Sequence, residues 1–419
     1  MANKSLIFIL LAVSLATHFA FFGHPNQTVF DEVHFGKFIS GYYTHEYYFD
    51  IHPPLGKLMI AGFAKIFNFK PEFSFAQIGE EFPDNEYLTL RFLPSLAGML
   101  LPLIIFLLAL QLKFKPLGAF IAGFLVAIEN ALVVQTHYIL MDGFLLLFGF
   151  SALLFYFRRK FLWMAVFGGL AMSIKWTGLT FLALPLIIET WRYFINRSYE
   201  PFIKNVLIFI LVPFAIYFSI FTLHFALLTK PGPGDAFMSQ NFHNENVSKK
   251  FVELNVQMYQ SNQRLTATHP YGSQWYSWPF MTRPIFYWVD STSSPQVSSR
   301  IYLLGNPVIW WMSTVAVLLS LMYIVRHRII KILLGGYFLN LLPFIGIKRV
   351  MFLYHYLTGL IFAILILVYL IEKQKHARKI FIGLAITSVA AFIYFAPLTY
   401  GLPLSPQAYN ARVWFPSWR

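Results

Sequence analysis

Hydrophobic residues run along this chain in long blocks separated by short polar clusters, without the strict alternation of a half-buried strand. A helix needs about 20 mostly apolar residues to cross a bilayer. Stretches of that kind fall at 5–22, 86–111, 117–134, 138–157, 161–174, 177–194, 205–228, 302–325, 329–346, 350–371 and 378–397. The pattern predicts eleven spans, the fifth and ninth of them short, and two long loops at 23–85 and 229–301. The first span has no small-residue cleavage site behind its apolar core and reads as a retained helix.

The charges orient this set. Sixteen basic residues, from Lys4 through Arg158, Arg192 and Arg197 to Lys379, fall in one group of connections, opposed there only by Glu189, Glu200 and Glu372. That side carries +13 of the chain's net +14. Basic loops stay in the cytoplasm, so the N-terminus is expected inside, with both long loops and the tail after 397 outside. The basic excess is then a topology signal, and no nucleic-acid partner is expected. Fifteen of the eighteen acidic residues fall outside or near the outer surface, with Glu129, Asp142 and Glu189 toward span ends. A pump or channel would place carboxylates at mid-membrane.

Composition agrees: 58% of residues are hydrophobic and 12% charged, against about a quarter charged in soluble domains. An ordinary soluble enzyme is excluded. The chain has no cysteine, hence no disulfide framework, zinc ribbon or iron–sulfur cluster. No phosphate-cradling glycine loop or dinucleotide fingerprint occurs, so a sugar nucleotide is not expected as direct donor, and no metal-ligand motif is present.

In the first outer loop, Asp31 stands where a helix would begin, followed by apolar Val33, Phe35, Phe38 and Ile39. The spacing predicts an amphipathic helix lying on the membrane. Residues 49–57, FDIHPPLGK, join a rigid Pro-Pro turn to a second amphipathic segment at 55–68. Two such helices hinged by prolines would roof a cavity between lipid and water. A carboxylate at a helix N-terminus is stabilised as the anion, which predicts a low pKa for Asp31. Taken alone, Asp31 is a helix cap as readily as a base, and His52 fixes the turn.

The stretch DEVHFGKFISGYYTHEYYFDIHPPLGKLM (31–59) resembles the first lumenal loop of the protein O-mannosyltransferases, lipid-phosphate-sugar-dependent enzymes of the GT-C class. RFLPSLAG (91–98), SIKWTG (173–178), KPGPGDAFMSQNF (230–242), HPYGSQWYSWPF (269–280), IYLLGNPVIWW (301–311) and KRVMFLYHYLTGLIF (348–362) follow in family order. Only 26 residues separate Phe242 from His269. That is too few for the β-trefoil MIR domain of eukaryotic members, since chains under about 40 residues seldom fold alone. The chain therefore resembles the shorter prokaryotic members. The resemblance implies an all-α polytopic membrane protein of GT-C fold, one domain over 1–419 with two interfacial helices in the first outer loop. It also implies a plasma-membrane location with the site facing the periplasm or exterior.

The implied reaction moves mannose from a polyprenyl-phosphate carrier to Ser or Thr hydroxyls of exported proteins, near the secretion channel, with inversion at the anomeric carbon. By analogy Asp31 is the general base and Glu32 orients acceptor or sugar. Arg91, Lys175, Arg349 and His355 are expected around the donor phosphate, where cations stabilise growing negative charge. For each cation, snorkelling to headgroups is the plain alternative. On an α-helix Tyr354 and His355 could not share a face. His52, Asp142, His269, Trp275 and Trp278 are the candidate substrate and acceptor contacts, the tryptophans serving equally as an interfacial belt. No cofactor and no metal are expected. Two alternatives stand beside this reading. One is a GT-C enzyme moving another sugar to a lipid or glycan, as aminoarabinose transferases do. The other is a lipid-linked sugar transporter, which broken helices in matching halves would mark; the hydropathy pattern contains none.

Overall fold

A computed structural model describes residues 2–196, 199–264, 268–290 and 297–419; Arg197, counted on the basic side, lies outside them. The chain is a helical bundle. In order, α1 (Ala2–Phe19) leads to two short helices in the first loop, α2 (Glu32–Thr44) and α3 (Leu55–Ile66). Then follow α4 (Tyr87–Gln111), α5 (Pro116–Ala127), α6 (Asn130–His137), α7 (Asp142–Phe157), α8 (Phe161–Ile174), α9 (Thr180–Asn196) and α10 (Tyr199–Leu227). The second loop holds α11 (Val247–Arg264) and an antiparallel pair, β1 (Ile285–Val289) and β2 (Ser298–Leu303). The chain closes with α12 (Pro307–Ser320), α13 (Arg328–Leu339), α14 (Leu357–Glu372), α15 (Ala377–Tyr400), a short β3 (Pro403–Leu404) on β2, and α16 (Pro406–Arg412).

Each predicted span overlaps at least one apolar helix. Among the described residues six helices are long and apolar enough to cross a membrane alone, and the α5–α6 pair makes a seventh; α1, α7, α8 and α12 are apolar but shorter. Helix α14 is apolar all round and buried along nearly its whole length, as expected of a helix at the centre of its bundle.

One expectation needs correction. The span predicted at 117–134 is broken: α5 and α6 meet at 55°. The physical cause is Glu129, which is buried at the break. Its carboxylate caps α6 by accepting the Leu132 N–H at 2.8 Å, and it takes the Asn306 N–H at 2.6 Å. Free N–H groups at a helix start need such acceptors. Hydropathy averages over the break and cannot see it. The pair has no bent counterpart among the other described helices, so matching broken halves are not found.

Both long loops gather at one end of the bundle, where Tyr42 of α2 bonds His224 of α10 (2.8 Å) and Trp288 of β1 donates to Gln27 (2.8 Å). There α2 lies against α3, and α3 against α4 and α8. The basic connections occupy the other end, where Glu372 accepts the Lys115 N–H and Glu189 holds Arg192.

Candidate active site

Asp31 immediately precedes α2, yet no capping bond forms: its backbone is helical (φ −70°, ψ −1°) and its side chain accepts no hydrogen bond from a described residue. The carboxyl is partly buried. Burial pushes its pKa up to about 7; Asp142 and Asp50 add to the rise, while Lys175 and Arg349 oppose it. The low value expected for a capping carboxylate is therefore overturned, because the helix N–H groups that would have stabilised the anion are not bonded to it. A carboxylate with a pKa near neutrality is a stronger base than an ordinary one, and about half of it is still ionised at pH 7.

The next residue does opposite work. Glu32 is fully buried and accepts from Arg91 Nε (2.8 Å), Arg91 Nη2 (2.7 Å), the Val29 N–H (2.8 Å) and the Ile139 N–H (2.9 Å). Arg91, likewise fully buried, spends its remaining N–H groups on the carbonyls of Gly23, Pro25 and Gln27. A guanidinium has five N–H donors, and all five are used. Arg91 is thus corrected from a donor-phosphate ligand to the pin that holds the first loop on α4. Glu32 is corrected from substrate contact to its counter-ion. The tight hydrogen bonding of both ions makes such a buried pair tolerable, since unpaired burial of either would be costly.

Beside Asp31's charged neighbours lies a cavity of about 390 Å³. Its lining includes Lys175, Asp142, Arg349, His355, Tyr354 and His52 together with Leu145, Leu146, Leu179, Leu339 and Leu357. Lys175 Nζ sits 2.9 Å from both oxygens of Asp142 and 5.1 Å from the Tyr354 ring. Arg349 Nη2 lies 3.5 Å from His355 Nε2. His52 stays neutral, its pKa driven well below 6.5 by burial and by Lys175 and Arg349. Tyr354 and His355 share the cavity after all: both line it, and their rings, in the 3₁₀ turn at 353–356, stack at 4.5 Å. A cavity lined by both cations and aliphatic side chains suits an anionic headgroup on a hydrocarbon tail.

Three expected contacts do not line this cavity. His269 is exposed with its ring edge-on to Phe352 at 5.1 Å. Trp275 packs against Tyr276. Trp278 is buried, donates to Ser273 and stacks behind His355 at 5.7 Å, so it supports the site without facing it.

The sequence reading missed Asp50 and Lys57. Lys57 is buried, pairs with the Asp50 carboxylate, and donates to the carbonyls of His52 (3.1 Å) and Pro53 (3.3 Å). Asp50 also takes the His52 N–H at 3.2 Å. This pair, and not His52 itself, fixes the Pro-Pro turn and presents His52 to the cavity. The available signal was an acid and a lysine flanking the turn in a segment too apolar to solvate them separately. Asn340 and Thr180, bonded at 2.8 Å, were also missed as polar groups of the lining.

Comparison with known proteins decides the family. The family model for dolichyl-phosphate-mannose-protein mannosyltransferase matches residues 8–229, and that for the C-terminal four-helix membrane region of protein O-mannosyltransferase matches 247–418. The chain belongs to this family. It is 35% identical over 241 residues to dolichyl-phosphate-mannose–protein mannosyltransferase 1 of Candida albicans, a match covering 52% of this chain and 28% of that one. The chain spans about a third of the length of the curated relatives it matches. In fold it is similar to the Saccharomyces cerevisiae protein O-mannosyltransferase Pmt1-Pmt2 complex bound to the sugar donor (TM-score 0.94, 19% identity, covering 100% of this chain and 93% of that one). A more distant likeness is ArnT from Cupriavidus metallidurans in the apo state (TM-score 0.63, 13% identity, covering 96% and 77%). The fold is that of the GT-C glycosyltransferases.

Proposed function

We propose that this mannosyltransferase-family chain transfers mannose from a polyprenyl-phosphate carrier to Ser or Thr hydroxyls of exported polypeptides near the secretion channel. The acceptor oxygen attacks the anomeric carbon as the bond to the carrier phosphate breaks. Its proton passes to Asp31, and the phosphomonoester leaves against Lys175 and Arg349. One observation carries this reading: a partly buried carboxylate that caps no helix feels the charges of Lys175, Asp142 and Arg349, which line a cavity that also has aliphatic walls. The family relatives' names, with their dolichyl-phosphate-mannose donor and protein acceptor, support it. The site faces the exterior and the N-terminus the cytoplasm, in keeping with the basic residues at the opposite end of the bundle.

Purified enzyme given radiolabelled polyprenyl-phosphate mannose and a Ser/Thr-rich peptide should label the peptide. Label appearing only on lipid or glycan acceptors overturns the protein-acceptor reading. The rate carries the mark of Asp31: the base must be ionised, so kcat/KM should climb tenfold per pH unit below about pH 7 and level off above it. An acidic limb near the ordinary carboxylate value would mean that some other group takes the proton. Because two protein cations serve the leaving phosphate, transfer proceeds without a metal. Treatment with EDTA should leave the rate unchanged, and restoration of a lost rate by manganese would count against this.

A further inference from the structure

Phe30, the residue before Asp31, has φ +48°, a left-handed conformation that bulky side chains rarely adopt. Two contacts from one residue hold it there. The Phe30 ring lies face to face with Tyr287 of β1 at 4.1 Å and 7°, and the Phe30 N–H donates to the Tyr287 carbonyl at 3.2 Å. Tyr287 is fully buried and is itself tethered: its hydroxyl donates to Gln135 Oε1, and Gln135 Nε2 donates to Asp142 Oδ2 at 2.6 Å. Asp142 in turn holds Lys175. Contacts therefore run unbroken from the cavity lysine to the backbone that aims Asp31.

The link has a chemical consequence. A helix usually begins on an extended residue whose side chain caps the first N–H groups. Released from its left-handed turn, the entry to α2 could relax toward that form and let Asp31 cap the helix, turned from its present setting and stabilised as a weakly basic anion. We infer that Tyr287 is a positioning residue for Asp31, its ring and carbonyl fixing Phe30 while Gln135 ties it to the Asp142–Lys175 pair. This rests on the reading of Asp31 as the base.

The test uses full-length enzyme with labelled donor. The groups facing Asp31 are Lys175 at the end of α8, Asp142 at the start of α7, Asp50 in the α2–α3 link, Arg349, Tyr354 and Tyr287; all but Tyr287 stay in place. Tyr287→Leu should lower kcat by roughly tenfold to a hundredfold, leave KM for the donor within about twofold, and move the acidic limb below pH 7. Tyr287→Phe keeps the stack and should lose far less. Should the leucine variant fail to fold, Phe30 offers a second pair. Phe30→Gly and Phe30→Ala both remove the ring, but only glycine takes positive φ freely, so per folded molecule the glycine variant should be the faster. Equal losses for the two, or a Tyr287→Leu enzyme whose kcat and pH limb are unchanged, overturn the inference. Asp31→Asn run alongside separates the two ideas: an active Asp31→Asn enzyme removes the base itself, whereas an inactive one beside a normal Tyr287→Leu removes only the positioning.

Discussion

Asp31→Asn should transfer sugar at no more than about a hundredth of the wild-type rate, the usual cost of losing a general base. The substitution is close to isosteric, and the carboxylate it replaces caps no helix and holds no ion pair with a described residue. Stability should therefore change little, and the loss should fall on kcat. KM for the lipid donor should hold, because Lys175 and Arg349 remain to receive the phosphate. The measurement is single-turnover transfer with saturating labelled donor, beside a thermal melt of the same preparation. An Asp31→Asn enzyme that is folded, binds donor and turns over near the wild-type rate would remove Asp31 from the chemistry. A parallel fall in kcat and melting temperature would instead mark it as structural, against its lack of partners.

The route from sequence to this site shows what pattern can carry. Helix positions were legible because twenty apolar residues in a row admit few other fates, and α2 and α3 because amphipathic spacing beside Pro-Pro is a local signal. Lys175, Arg349 and Asp142 were legible as candidates because charges placed near the ends of apolar spans need a reason to be there. What was not legible is pairing across the fold. Nothing local joins Arg91 to Glu32, 59 positions earlier, so a guanidinium fully consumed by structure looked identical to one awaiting a phosphate. The same blindness left open which cation Asp142 pairs with, now Lys175, and hid Gln135 as the link to Tyr287. His355 was misjudged for a different reason: the facing argument assumed that neighbours must diverge, whereas the Tyr354 and His355 rings stack on each other and both line the cavity. The break at Glu129 was lost because one carboxylate barely dents an apolar average.

Arg91→Ala distinguishes the structural assignment from the one that sequence suggests. Were Arg91 a phosphate ligand, the variant would fold normally and show a raised donor KM. The observed geometry predicts a failure of the fold. Removing the guanidinium leaves the Glu32 carboxylate buried with no counter-ion, and it strands the carbonyls of Gly23, Pro25 and Gln27 as well. Breaking a buried pair from one side costs about 3–5 kcal/mol, a large part of the roughly 5–15 kcal/mol that holds a typical domain together. The first loop should come away from α4, and Asp31, one residue from Glu32, should lose its setting with it. Detergent-purified Arg91→Ala should therefore melt many degrees early or fail to accumulate. The double variant Arg91→Met/Glu32→Leu should recover part of the loss, because an apolar pair leaves no unpaired charge behind. A stable Arg91→Ala enzyme with only its donor KM raised would restore the phosphate-ligand role and dissolve the pin.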